Sequence, residues 1–386
     1  MDFALSKAQL ELQERVREAV KRVVVPICDA VAPGARLGGE DVTRIYRTLA
    51  PLGYVGSTIS RDLGGAGMSF VDYGLLLEAL GESPVVLGEV VPPRLIAAAG
   101  NDEQKRRWLA KLLAGDLLGT AAITEPQAGS DTRAFTCAGV PEGENYRVTG
   151  RKKWIKFGGV VDLAAVMVVE PPHSQLGREG KTRNTRLVVE RAVSPWKSRE
   201  VPSVGIRNLS YAELEFDGVL VPRENMLGQP GQALHAFGRG IEASRPFIGL
   251  TALGIANHAL ELAKAWTRDR VAFGKTLAKF QAIQLALADA ATELAAARLL
   301  CLNALWLMDE GQSCPREASM AKVFATEASV RACNAAMEVM GAAGLAEESG
   351  VERCWRDCRM LTVIDGTSGI NRLIVGRELL GHAAFV

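Results

Sequence analysis

The chain has 386 residues and a mass of 41.3 kDa, room for two or three domains. Its 45 Lys and Arg against 44 Asp and Glu leave a formal charge of +1, which argues against a broad electrostatic grip on nucleic acid or an anionic membrane. With 48% hydrophobic and 23% charged residues it reads as a globular enzyme, not a disordered chain. No apolar run approaches the ~20 residues of a membrane span, so no membrane insertion is expected. The N-terminus carries early acidic residues and no apolar targeting core, which points to a cytoplasmic protein. Seven scattered cysteines and four histidines without ligand spacing suggest neither a disulfide framework nor a metal site.

Residues 1–118 read mainly as helix. Leu5, Leu10, Leu12, Val16, Val20 and Val23 recur at three-to-four spacing behind Ser6 as an N-cap, and Pro26 is expected to end or kink that segment. A glycine-rich patch at 63–69 precedes further helices, one of them capped by Asn101. Residues 119–228 switch to short β-branched runs punctuated by Gly, Pro and Asn, with Val166–Val169 and Leu187–Val189 as buried strands. From 229 to 386 the helical period returns in long, Ala-rich stretches that need burial on more than one face, in a bundle or at a subunit interface. The architecture expected is mainly α with a central β-domain.

Common catalytic signatures are absent: no Walker A loop, no GxSxG elbow, no HExxH. Gly238–Ala243 matches a dinucleotide fingerprint, but it follows a helical-looking segment where a strand is required. The turn at Thr124–Asp131 places Gly129 and Ser130 where backbone N–H groups and a hydroxyl could meet a phosphate; taken alone it reads rather as a polar turn between a helix and a strand. Trp154, in WIKFGG, would by itself pass for core packing.

Taken together, ITEPQAGSD (123–131), KKWIKFGG (152–159), the segment 205–228, SRP (244–246), RVAFGKTLAKFQAIQ (270–284) and IDGTSGINRLIVGREL (364–379) occur in an order that resembles the acyl-CoA dehydrogenase flavoprotein family. The resemblance covers nearly the whole chain. It implies an N-terminal helical domain, a middle β-barrel-like domain and a C-terminal four-helix bundle. It also implies noncovalent FAD and a homotetramer built as a pair of dimers. By position, Ile123 and Thr124 would lie against the flavin, with Trp154 covering it. Gly129 and Ser130 would face the pyrophosphate and CoA, and Gly366 and Thr367 would line flavin and phosphates. Arg270, Phe273 and Gln281 would approach the FAD of a neighbouring subunit, a pairing with pyrophosphate that guanidinium geometry favours for Arg270. Arg245 and Gly366, with Ser130, would contact substrate.

The family reaction removes an α-proton of an acyl thioester while hydride leaves the β-carbon for the flavin. The common base is a Glu before Gly-Thr; here that position is Asp365. The alternative base position, before the Arg of the SRP-type motif, holds Ser244, which is no carboxylate, and Glu242 is out of register. Asp is shorter than Glu by one C–C bond, about 1.5 Å, so backbone or substrate must sit closer. Lys156 replaces the usual Thr or Ser near the flavin; its ammonium would favour the anionic reduced flavin, unless it snorkels outward. Ala272 and Glu338 replace Thr and Gln near the partner's FAD. The resemblance therefore implies α,β-dehydrogenation of an acyl-CoA or acyl-carrier-protein thioester, with electron-transfer flavoprotein as oxidant. The alternatives are a nitroalkane-oxidase-like flavin oxidase, since that branch also uses an Asp, and a non-catalytic flavoprotein scaffold.

Overall fold

A computed structural model describes residues 4–32, 34–170, 183–382 and 384, and of residues 183 and 234–239 the backbone alone. The first helix, α1 (Lys7–Ala19), starts at a reciprocal capping box in which Ser6 and Gln9 each bond the other's backbone N–H. Pro26 does not stop it. The chain passes through a wide π turn at Val20–Val24 and continues as Val25–Asp29, with Pro26 directly behind that turn, where the regular helical hydrogen bonding is already interrupted. Helices α2 (Gly39–Leu49), α3 (Phe70–Ala79) and α4 (Val91–Ala99) follow. Asn101 caps the next helical stretch, again with a capping box.

The middle of the chain forms a seven-stranded sheet: β1 (Gly119–Ala122), β2 (Ala138–Glu142), β3 (Asn145–Lys156), β4 (Leu163–Glu170), β5 (Arg183–Glu190), β6 (Lys197–Glu200) and β7 (Tyr211–Pro222). The order is β1-β4-β2-β3-β7-β6, with β5 also paired to β4. Val166–Val169 and Leu187–Val189 are buried at the β4–β5 pairing, as the apolar runs suggest. The register between β3 and β7 slips twice, and the second slip, between Lys152 and Ile155, contains Trp154 at φ +64°.

The bundle consists of α5 (Ala233–Asp269), α6 (Gln281–Asp309), α7 (Pro315–Met340), α8 (Val351–Leu361) and α9 (Ser368–Leu380). Its central member is α7, which packs on all four others; Ala318, Ala321, Ala325, Ala328, Ala332 and Ala336 are all buried and let the helices approach closely. The fingerprint-like Gly238–Ala243 lies inside the first turns of α5 and lacks the strand and turn a dinucleotide site requires. The N-terminal domain docks onto α5 at two facing glycines: a Cβ on Gly81 would stand 2.0 Å from the carbonyl carbon of Gly254. Arg298 of α6 bonds both oxygens of Glu78 at 2.7 and 3.0 Å, and Gln13 of α1 bonds Glu78 at 3.1 Å, so one carboxylate ties three helices. Cys354 and Cys358 share the buried face of α8, and all seven cysteines are free thiols. Among the described residues no helix is long and apolar enough to cross a membrane.

Candidate active site

Helix α8 ends at Leu361, and the turn that follows reverses the chain into α9. Two consecutive residues of this turn are left-handed, Asp365 at φ +55° and Gly366 at φ +96°. Glycine adopts that conformation freely, and the short side chain of Asp tolerates it better than most. Thr367 then caps α9 by accepting from the Ile370 N–H at 3.3 Å. The turn is clamped from α7: the fully buried Lys322 donates to the carbonyls of Thr362, at 2.8 Å, and Gly366, at 2.7 Å. Asn371 adds a third bond, to the Gly366 carbonyl at 2.8 Å. Three hydrogen bonds from two side chains thus fix the backbone on either side of Asp365.

Around Asp365 the fold gathers charges from distant parts of the chain. Glu89, in the loop before α4, is 4% exposed at its side chain and stands 2.6 Å from Arg94 Nη2. Ser244 Oγ of α5 donates to its other oxygen at 2.5 Å. Arg245, the next residue of α5, is buried with its Nε unpartnered, and Lys156 at the end of β3 has no acidic partner within ion-pair distance among the described residues. Burial, then the negative charge of Glu89, push the Asp365 carboxyl up to about 6; Lys322, Arg245 and Arg94 hold it from rising further. The same burial brings the Lys156 ammonium down to about 8, with Glu89 and Asp365 opposing. Lys156 is half-buried, its ammonium 5.0 Å from the centre of the Phe157 ring. Tyr211, buried, lies within reach of the Asp365 charge, and its phenol is raised by burial.

Glu242 is engaged elsewhere: its carboxylate accepts from the Ser313 hydroxyl and from the Cys314 N–H at the entry of α7. The 123–131 turn is anchored by a buried ion pair, Lys152 to Glu125 at 2.8 Å, with the Ile123 carbonyl 2.9 Å from the same ammonium. Ile123 and Thr124 are half-buried there, whereas Gly129 and Ser130 are exposed. Trp154 is 45% exposed on the adjoining bulge. Arg270, Phe273, Gln281 and Glu338 form a separate set. Phe273, 96% exposed, and Gly274 make the left-handed turn of a small hairpin, Val271–Ala272 with Lys275–Thr276. Arg270 rests over Trp266 and has no ion-pair partner among the described residues; the exposed Glu338 accepts from Asn334. Along α7, Glu338 follows Lys322 by 16 residues, roughly 24 Å of helix, and along α5 Arg270 follows Arg245 by 25, roughly 37 Å. Within one chain the two sets are far apart.

Sequence motifs point to neither Glu89, Arg94, Lys322 nor Tyr211. Two of them do leave a trace. Glu89 is the lone charge in an apolar run from Pro84 to Pro93, and Lys322 sits on the small-residue stripe of α7, a position where an unpaired cation has no place unless the fold uses it.

Helices, a curled sheet and a helical bundle, converging on a carboxylate ringed by cations, have the form of an oxidoreductase built around a large cofactor. Three family models match in order: acyl-CoA dehydrogenase N-terminal domain at residues 6–116, middle domain at 120–219 and C-terminal domain at 234–380. The chain belongs to the acyl-CoA dehydrogenase family. It is 32% identical to the probable acyl-CoA dehydrogenase YngJ of Bacillus subtilis, over 98% of this chain and 100% of that one. It is 31% identical to the short-chain specific mitochondrial acyl-CoA dehydrogenase of Bos taurus, over 96% and 89%. Among solved structures it resembles butyryl-CoA dehydrogenase from Megasphaera elsdenii at a TM-score of 0.89 and 27% identity, over 98% of this chain and 100% of that one. A chain described as electron transferring flavoprotein of Acidaminococcus fermentans gives 0.90 at 27%, over 99% and 100%. Members of the family carry out flavin-dependent acyl-CoA dehydrogenation with FAD. The residues present suit such a cofactor: an exposed aromatic on a strand bulge, and two cations, Lys156 and Arg245, without an acidic partner in ion-pair distance among the described residues.

Proposed function

We propose that this protein dehydrogenates an acyl-CoA between its α- and β-carbons, with Asp365 as the base that takes the α-proton. One observation carries the reading: a carboxylate on a turn clamped by Lys322, held near pKa 6 and surrounded by cations. A base in that range is ionised at neutral pH yet keeps more proton affinity than a solvated Asp. Lys322 keeps the carboxylate in place through the Gly366 carbonyl, and Arg245 favours its ionised form. FAD, when bound, supplies the acceptor for the β-hydride. Ile123, Thr124, Trp154, Lys156, Gly366 and Thr367 would hold it from this chain, with Gly129 and Ser130 toward its phosphates and CoA. Arg270, Phe273, Gln281 and Glu338 would reach the FAD of another subunit, because their separation from Asp365 prevents both sets from serving one cofactor within a chain. The family resemblance implies a homotetramer, with electron-transfer flavoprotein as the oxidant.

The test is anaerobic mixing of the FAD-loaded protein with a panel of acyl-CoAs. Bleaching of the flavin absorbance by at least one thioester is expected, and its loss in Asp365→Asn with FAD retained. Peroxide released from a nitroalkane, with no bleaching by any thioester, would replace this reading by the oxidase one.

A further inference from the structure

Four cations are buried among the described residues, and three of them are matched. Lys152 has Glu125, Lys322 has two carbonyls, and Arg245 lies where its charge acts on Asp365. The fourth, Arg186 of β5, is 3% exposed and has no acidic side chain in ion-pair distance among the described residues. Its Nε makes no hydrogen bond, and its one side-chain bond is long, from Nη2 to the Ala233 carbonyl at 3.5 Å. No neighbouring charge offsets the burial, which lowers the guanidinium to about 10.

That guanidinium lies against the first turn of α5. Ala233 opens the helix, and the side chain of Gln232 before it caps none of the leading N–H groups. Gly231 is tied to β5 by its N–H bond to Thr185 Oγ1, at 3.0 Å. Across the sheet Arg186 pairs with Met167, which shares one apolar cluster with Ala233 and with Ala128 of the 123–131 turn. The exposed Gly129 and Ser130 follow directly. An uncapped helix start and an unpaired buried guanidinium both favour an anion, and a phosphate can accept from both at once. The length of α5 says whose phosphate. Arg245 follows Ala233 by 12 residues, roughly 18 Å of helix. With the thioester at Asp365, an extended pantetheine arm carries the first phosphate of CoA about 16 Å away, at ~3.6 Å for every three bonds. The ribityl arm of FAD is about half as long. We propose that Arg186 and the first turn of α5 form a phosphate subsite, and that the phosphate it takes belongs to the CoA of the substrate. This rests on the proposed dehydrogenation, which puts the thioester at Asp365.

Calorimetric titration of the FAD-loaded protein with CoA and with pantetheine, which carries no phosphate, reads the subsite without turnover. CoA is expected to bind at least ~10-fold tighter than pantetheine, the worth of one hydrogen bond to a charged group. Arg186→Met should collapse that ratio toward one, and Arg186→Lys should keep part of it as a point charge. Before any CoA is added, Arg186→Met should melt no lower than the unaltered protein, because a buried cation without a partner costs stability. Equal binding of CoA and pantetheine by the unaltered protein, or a ratio unmoved in Arg186→Met, would overturn the inference. So would a fall in melting temperature or a failure to fold, which would make the guanidinium framework. Weakened FAD binding in Arg186→Met with the CoA ratio kept would also overturn it, and would give the site to the phosphates of the cofactor. Bleaching by the acyl-CoA panel, recorded in parallel, keeps the two readings apart. A ratio that depends on Arg186, without bleaching of the unaltered protein, defeats the dehydrogenase reading alone. Bleaching with a ratio indifferent to Arg186 defeats the phosphate inference alone.

Discussion

Two buried charge clusters meet β3, one at Lys152 and one near Lys156, and they differ in what they leave over. At Lys152 and Glu125 everything is matched. The ammonium bonds Glu125 Oε1 at 2.8 Å and the Ile123 carbonyl at 2.9 Å, and rests 4.9 Å from the Phe135 ring. Glu125 also accepts from the N–H groups of Cys137, at 3.0 Å, and Thr136, at 2.7 Å. At Asp365 the pairing is incomplete: among the described residues Lys156 has no acid within ion-pair distance and Arg245 Nε has no hydrogen bond, while Glu89 is held by Arg94 at 2.6 Å and burial pushes the carboxyl of Asp365 up to about 6. Complete satisfaction marks framework. Leftover polarity, kept in a protein interior at a cost, marks the place where something else must bind.

The sharpest way to break this comparison is to neutralise a charge on each side. Asp365→Asn is expected to slow anaerobic flavin bleaching by roughly 10³-fold, within the range for loss of a general base, while FAD content and melting temperature hold. At pH 8 the variant should melt no lower than the unaltered protein, because the native state already disfavours ionised Asp365. A large drop in melting temperature instead would assign Asp365 to framework. Lys152→Met should do the opposite. It leaves Glu125 buried and unpaired, a loss of about 3–5 kcal/mol, seen as a marked fall in melting temperature and as loss of order in the 123–131 turn. The sign with pH is fixed too. Burial alone would raise the Glu125 carboxyl, but Lys152 and the two N–H donors outweigh it, so it lies below its usual range. The stability it contributes is present above the ordinary carboxylate pKa and is lost as pH falls through the depressed native value. Acid melts of Lys152→Met should accordingly show less of that loss than those of the unaltered protein.

Much of the framework is legible in the sequence, and the reason is local. Ser6 with Gln9, and Asn101 with Gln104, are capping boxes written within four residues, and both form. The β-branched runs at 166–169 and 187–189 become buried strands because nothing nearby competes with their pattern. Pro26 is the exception: its effect depends on the π turn before it, which no single residue announces. The site is legible only where a contiguous motif carries it. Asp365, Trp154 and Phe273 all lie in such motifs, and all three adopt left-handed backbone, a cost that functional segments tolerate. Glu89 and Lys322 are brought to Asp365 by tertiary packing of the N-terminal domain and α7, across 276 and 43 residues of chain. Their role is a property of the fold.

Removing the clamp while leaving the base tests whether the leftover polarity is tuned or incidental. In Lys322→Met the carbonyls of Thr362 and Gly366 lose their donor and Asp365 loses a nearby positive charge. Misplacing the base by about 1 Å should lower kcat/KM by ~10–100-fold. The pH profile separates that from simple loosening. In the unaltered enzyme kcat/KM should rise with pH through about 6 as Asp365 ionises, since only the ionised base can take the proton. Burial and Glu89 set that midpoint upward; Lys322, Arg245 and Arg94 set it downward. Without Lys322 the midpoint must move to higher pH. A lower rate with an unmoved midpoint would mean that the lysine supports the turn and nothing more.

The smallest expected effect falls on Lys156, where the comparison is most exposed to failure. Of the three lysines of β3, Lys152 has its buried acid, Lys153 reaches Glu213 at 3.9 Å, and Lys156 has no acid within ion-pair distance among the described residues. If the difference is functional, the charge of Lys156 acts on the flavin: a cation in a low-dielectric pocket favours the extra negative charge of the reduced form. Lys156→Thr should then lower the reduction potential of the bound flavin, read by spectroelectrochemistry at neutral pH. The direction with pH gives a second handle. Burial brings the ammonium down to about 8, so its effect is full below that value and fades as the lysine deprotonates above it. The potentials of the two proteins should differ at pH 7 and converge by pH 9. Curves that coincide at pH 7 would place Lys156 with its neighbour, as a buried cation whose missing partner has no bearing on the flavin.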